Sequence, residues 1–153
     1  PTAAPAPVWY APPKVEVAAN VTGIDQAEVA AYVEQVVNDP RGWHANMDAF
    51  TLRVVKPGYA GVGGTNNLIG GAWPDQRIAV FTTDAWQRVG PKFAAVGGTL
   101  DQQRTWVILH ELGHLIGHNH EECPGSGPAP VMRANDFKLG SCSYNVWPNP
   151  AGL

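Results

Sequence analysis

His110, Glu111, His114, Gly117 and His120 stand in the order H-E-x-x-H-x-x-G-x-x-H. On a helix, positions four apart share a face, so His110 and His114 project their imidazoles to one side, one turn apart. Glu111 sits beside the first. Gly117 can take the left-handed conformation that ends a helix, and a sharp turn there brings His120 back as a third ligand. Three imidazoles on a tetrahedral Zn²⁺ leave one position open for water, which is the arrangement of a catalytic site and not a structural one. One zinc ion so held lowers the pKa of its bound water to about 7 and polarises a carbonyl. Glu111 would take the proton from that water and pass it to a leaving amine. The reaction these residues point to is peptide-bond hydrolysis without a covalent intermediate.

The short H-E-x-x-H string also arises on a solvated helix face with two surface histidines. Gly117 and His120 at the right offsets, and a helical context, favour the metal. That context is present. Thr99 and Gln102 form a capping box, and Asp101 places negative charge in the first turn. Val107, Ile108, Leu109, Leu112, Leu115 and Ile116 make the following helix, from about Leu100 to Leu115 or Gly117, largely buried. A buried helix carrying His-Glu-His in its middle needs a reason for those polar groups. His118 is the rival third ligand, since an uninterrupted helix would present it four after His114. With Gly117 breaking the helix, His120 is better placed. His44 reads as a surface or packed histidine.

The extended motif resembles that of the metzincin metallopeptidases, whose signature continues into a methionine turn. Pro128-Ala129-Pro130-Val131-Met132-Arg133 is similar to that turn, with Met132 twelve residues after His120. The resemblance implies that Met132 floors the site without being a ligand; an ordinary core methionine is the alternative. Some metzincins carry a tyrosine two residues after the methionine. Here Ala134 stands there, so no tyrosine ligand or oxyanion donor is assigned, and Tyr144 is a distant substitute. Upstream, Gly63-Gly64-Thr65, Leu68 to Trp73, Arg77 to Phe81 and Asp84-Ala85-Trp86 resemble the matrixin branch, in which a Gly-Gly run leads into an edge strand that pairs with substrate. Leu68, Ile69, Gly70 and Trp73 are the substrate-binding candidates this implies. Matrixins place extra histidines and aspartates here for structural zinc and calcium. This chain has no histidine between His44 and His110, so structural zinc is not supported, and nothing assigns calcium. His110 to Met132, with Cys123-Pro124-Gly125 and Trp147-Pro148, is also similar to secreted actinobacterial proteins of metzincin type. The specific resemblance spans about residues 63 to 148.

At 153 residues and 44% hydrophobic, the chain is expected to be one domain, and a monomer. Pro1 to Pro13 reads as a Pro/Ala-rich linker or mature N-terminus. Residues 14–153 then form a single metallopeptidase domain, with an upper part 14–117 and a lower part 118–153. A net charge of −3 and ten scattered basic residues give no phosphate-binding footprint, which sets nucleic acid aside. No run of eighteen apolar residues exists, so no membrane span is expected. Cys123 and Cys142 flank the methionine turn. A disulfide between them would close a loop of about twenty residues and stabilise by about 3 kcal/mol on the chain-entropy model. Free thiols or thiolate ligands are the alternatives, but without C-x-x-C spacing a zinc–thiolate site is disfavoured. The disulfide reading implies an oxidising compartment and a secreted protein.

The remaining pattern places strands at Lys14 to Ala18, Phe50 to Val55, Leu68 to Trp73 and Arg77 to Phe81. A helix runs from the Asp25 cap to about Asn38, with Val29, Val33, Val36 and Val37 inward. A short helix covers Asp84 to Val89. Lys56 to Asn67 is a Gly-rich loop without a nucleotide-binding pattern. Trp43, Trp86 and Trp106 are assigned to the core, and Trp73 and Trp147 are candidates for a pocket wall. The expected fold is α+β: a metzincin-like zincin with a twisted mixed sheet, a backing helix, the active-site helix, and a small irregular C-terminal part carrying the methionine turn. Substrate would add as a strand along the edge near Leu68 to Trp73. The leading function is a secreted zinc endopeptidase acting on a protein or peptide. Two alternatives stand beside it: a non-catalytic metal-containing attachment module, with Pro1 to Pro13 as a plug over the cleft, and a zinc amidase acting on cell-wall peptides. The intact Glu111 argues against the first.

Overall fold

Thr51–Val55 (β2) and Ile78–Thr82 (β4) are short runs rich in β-branched and apolar side chains, and they form the centre of one four-stranded sheet. Leu52, Val54, Val55, Ala79 and Val80 are fully buried there, as expected where a sheet is covered. Lys14–Val17 (β1) lies parallel to β2, which lies parallel to β4; Gly70–Trp73 (β3) closes the far edge antiparallel to β4. The order is β1-β2-β4-β3, a mixed sheet in an α+β fold. The computed structural model describes residues 8–58, 69–134 and 139–153. Leu68, the Gly63-Gly64-Thr65 run and most of the expected loop at 56–67 lie outside the described residues.

Helix α1 (Gln26–Val37) crosses between β1 and β2. Its buried residues Val29, Val33, Val36 and Val37 fall on one stripe. The Asp25 side chain accepts from the Ala27 N–H to start it, and Asn38 ends it. The Asn38 side chain then pairs with both backbone groups of Tyr10, at 2.7 and 3.0 Å. Ala11 is held by Asn46 and Met47, so residues 10 and 11 of the expected linker are built into the fold.

Helix α4 (Leu100–Leu115) carries the histidine motif. Both bonds of its capping box are made: Gln102 N–H to Thr99 Oγ1 at 3.2 Å, and Thr99 N–H to Gln102 Oε1 at 2.9 Å. Two short helices lie between β4 and α4, α2 (Thr83–Gln87) and α3 (Pro91–Ala95). The second was not anticipated from the sequence, nor was the 3₁₀ turn Pro74–Gln76. Each starts with proline at its first position, where the missing N–H costs nothing. Gln103 fixes this region to α4. It is 2% exposed, its Nε2 donates to the carbonyls of Ala85 (2.8 Å) and Arg88 (2.6 Å), and its Oε1 accepts from Gly90 N–H at 2.7 Å. Trp106 is buried; Trp43 and Trp86 are half-buried against the core.

After Leu115 the described chain is irregular. It is tied by a Cys123–Cys142 disulfide, a bridge between Pro128 and Ser143, and two Asn145 bonds to the carbonyls of Ala129 and Trp147.

Gln103→Leu keeps most of the volume but leaves one buried and two part-buried backbone groups without this partner. Stability is expected to fall by about 3 kcal/mol. The check is a urea unfolding curve, whose midpoint should drop at unchanged slope. A variant within about 0.5 kcal/mol of the parent would show that these bonds are replaceable.

Candidate metal centre

Helix α4 is buried on nearly every face from Gln103 to Leu115, so its middle is screened from water by the sheet and by the segment after it. His110 is 1% exposed and Glu111 4%. A turn later, His114 reaches the cleft half-buried. The helix then stops in a Schellman turn. Gly117 N–H donates to His114 C=O at 3.1 Å, His118 N–H donates to Gly113 C=O at 2.9 Å, and Gly117 takes φ 100°. That positive φ is open to glycine at little cost. The reversal brings the exposed His120 back over the helix. Side-chain nitrogens of His110, His114 and His120 all lie within 4.8 Å of one another. His118 and His44 are outside this group: His118 stacks on Trp43, and exposed His44 stacks on Tyr10 and bonds the Pro40 carbonyl.

Two of the three imidazoles are oriented by backbone. His110 Nδ1 meets the Val131 carbonyl at 2.8 Å, and His114 Nδ1 meets the His118 carbonyl at 2.9 Å. A carbonyl only accepts, so each Nδ1 carries the hydrogen and each Nε2 is left with a free lone pair. This is the arrangement in which a metal-binding histidine is held by its outer partner. Burial drives His110 down to about 3, helped by the neighbouring His114 and His120. Burial also lowers His114. Both rings are therefore neutral near pH 7, the form that binds a metal. Burial pushes the Glu111 carboxyl up to about 8, and a divalent ion beside it would favour its charged form.

The donor set fits a single ion. Four-coordinate zinc spaces its nitrogen ligands about 3.4 Å apart, so a set spread over up to 4.8 Å closes on one ion by shifts under about 1 Å per nitrogen. Three imidazoles suit zinc and other imidazole-preferring ions.

The segment around Met132 serves two of the three histidines through its backbone. The Val131 carbonyl holds His110, and the Met132 carbonyl accepts from Glu121 N–H at 3.0 Å, next to His120. The Met132 side chain, 1% exposed, lies beneath the helix at Gly113. A Cβ on Gly113 would come within 2.6 Å of Met132 Sδ and 2.8 Å of Trp43 Cζ2. Sequence reasoning could see Met132 in its Pro-rich run. It missed Gly113, the Val131 carbonyl and Trp43, because these act through close approach and backbone, which carry no residue-type signal.

A cavity of about 240 Å³ lies between β3 and α4. Gly70, Gly71, Ala72 and Pro74 form one side, and His110, Glu111, His114 and His120 the other. Of the strand candidates, Gly70 lines it. Ile69 packs against the core, Trp73 ends the strand half-buried, and Leu68 is outside the described residues. Trp147 stacks under the Arg41 guanidinium at 4.0 Å, away from this lining. The Tyr144 hydroxyl meets Gln102 Oε1 at 3.1 Å, about two turns of α4 before His110. Burial raises it to about 12.

A family model described as "Protein of unknown function (DUF3152)" matches residues 71–150, more than half of the chain. The chain belongs to the DUF3152 family. The matched stretch contains the cavity wall at Gly71 to Pro74, all of α4, the three histidines, Met132 and both cysteines. No curated protein matches the sequence. A zinc-dependent peptidase from Methanocorpusculum labreanum (strain Z) is similar in structure over 81% of this chain and 57% of that one, at 19% identity and a TM-score of 0.36. The chain thus spans a little over half the length of that structure. A likeness so distant carries no inference about activity.

Gly113→Ala is expected to destabilise by about 2 kcal/mol, because Met132 and Trp43 cannot both retreat from a new methyl in a dense interior. The readout is thermal unfolding of the metal-free protein. An unchanged melting temperature would mean that Met132 is not seated against the helix. Reducing the Cys123–Cys142 disulfide, whose Cα atoms are 5.9 Å apart, should cost about 3 kcal/mol in the same assay.

Proposed function

We propose that this protein is a secreted zinc-dependent endopeptidase of metzincin type. The observation that carries the reading is the convergence of three histidine side chains, two of them with Nδ1 held by backbone carbonyls, on a cavity that also contains Glu111. His110, His114 and His120 would hold the ion through their free nitrogens. When bound, Zn²⁺ supplies positive charge that makes a water acidic and polarises the scissile carbonyl.

The chain's own residues do the rest. Glu111, sunk in the same cavity, accepts a proton from the attacking water and returns it to the leaving amine. Burial alone raises its carboxyl to about 8, and the positive charge of a bound ion would draw it back toward the carboxylate that can take the proton. The outer strand β3 faces the cleft with Gly70, Gly71 and Ala72, whose small side chains let a substrate backbone approach. An extended peptide added along that strand would present its carbonyl to the histidine cluster, with main-chain hydrogen bonds giving affinity. Met132 supports the helix from below. The Cys123–Cys142 disulfide suits an oxidising compartment, and among the described residues no helix is long and apolar enough to cross a membrane.

The test is cleavage of a diverse peptide library, read by mass spectrometry, by the zinc-loaded protein and by Glu111→Gln and His120→Ala. Glu111→Gln should keep one zinc per chain and lose at least about 10³-fold in turnover. His120→Ala should lose both zinc and cleavage. Cleavage that survives in Glu111→Gln, or no cleavage by a protein holding one zinc per chain, would contradict the peptidase reading.

A further inference from the structure

Trp43 reaches α4 from a loop that is fixed on its other side. The Asp39 carboxylate takes two bonds from the Arg41 guanidinium, at 2.9 and 2.8 Å, and Asn149 donates to the carbonyls of Arg41 and Gly42 at 2.9 and 2.6 Å. From this anchored loop the indole makes contacts that bracket the two helical histidines. Its Nε1 donates to the Leu109 carbonyl at 2.7 Å, immediately before His110. Its Cζ2 closes on Gly113, immediately before His114. Its face lies against the His118 ring, with centroids 4.2 Å apart and planes at 18°. His118 is the residue whose carbonyl receives His114 Nδ1.

We infer that Trp43 is a positioning residue for the metal centre. By stacking on the His118 ring, it fixes the carbonyl that orients His114, and so sets the affinity for zinc. This rests on the metal reading above. His118 thereby acquires a role that is not ligation. Its side chain is a handle by which the indole holds its backbone, and an outer-shell group of that kind changes metal affinity by about 10- to 100-fold. The stack helps the turn after Gly117 to present its carbonyl at hydrogen-bond distance from His114. The Schellman bond from His118 N–H to Gly113 C=O holds the same residue to the helix through its backbone.

The experiment uses the whole chain in five forms: parent, His118→Ala, His118→Phe, Trp43→Leu and the His118→Ala/Trp43→Leu double variant. Zinc affinity is measured by competition with a chromophoric chelator. The ligand-field spectrum is recorded after loading with Co²⁺, and melting of the metal-free protein is followed separately. His118→Ala and Trp43→Leu should each weaken zinc by about tenfold or more and change the cobalt spectrum. His118→Phe keeps a ring to stack and should stay within about threefold of the parent. The double variant should be no weaker than Trp43→Leu alone, because that substitution already removes the stack on His118. Should Trp43→Leu fail to fold, the half-buried His118 pair carries the test alone. Parental zinc affinity and spectrum in His118→Ala would overturn the inference, even with a lowered melting temperature. So would equal weakening in His118→Phe and His118→Ala. A parent that binds no zinc sinks the metal reading itself, and a parent that binds zinc beside an unaffected His118→Ala sinks only this one.

Discussion

At Gly117 the backbone leaves α4 in a left-handed conformation, and the histidine cluster exists because of that torsion. A helix alone offers two imidazoles on one face. The third must come from chain that has already turned back, and it must turn within three residues. The Schellman bonds make that reversal rigid, and the same reversal swings the His118 carbonyl under His114. One turn therefore supplies a candidate ligand and an orienting acceptor for another. The Met132 segment completes the enclosure from the opposite side, with the Val131 carbonyl on His110 and the Met132 carbonyl beside His120.

Such a cluster needs a frame that can bury polar rings without charging them. Helix α4 is buried on almost all sides from Gln103 to Leu115, so burial keeps His110 neutral and raises the Glu111 carboxyl. The cost of those buried polar groups is offset by fixed partners for the rings and by an apolar surround. Gln103, at the other end of the helix, does the same for the backbone of the 85–90 segment. The helix is thus pinned at both ends by polar side chains and through its middle by apolar ones. A one-residue slip would dislodge every contact at once.

Much of this could be read from residue types. The capping box at Thr99, the valine stripe of α1, the strand runs and the return of His120 toward His110 and His114 all follow from patterns with a direct physical cause: period, cap, or a glycine that must break a helix. The boundaries moved by a residue or two, because strand ends depend on pairing register. The short helix at Pro91–Ala95 escaped notice because five residues give no periodic signal. What stayed illegible was the outer shell. Trp43 lies more than sixty residues from His110 in sequence, and only tertiary packing brings it there. The carbonyls of Val131 and His118 have no signature, since any residue could supply them. Gly113 looks like a tolerated helix glycine until Met132 and the indole occupy the space its side chain would need.

The central claim is that three imidazoles, and no sulfur, hold one metal ion at the end of α4. Zinc K-edge X-ray absorption on the purified protein tests it most directly. The account predicts a first shell of about four light atoms near 2.0 Å with the outer-shell scattering of three imidazole rings. A sulfur shell near 2.3 Å, or six oxygen and nitrogen neighbours without imidazole scattering, would contradict it.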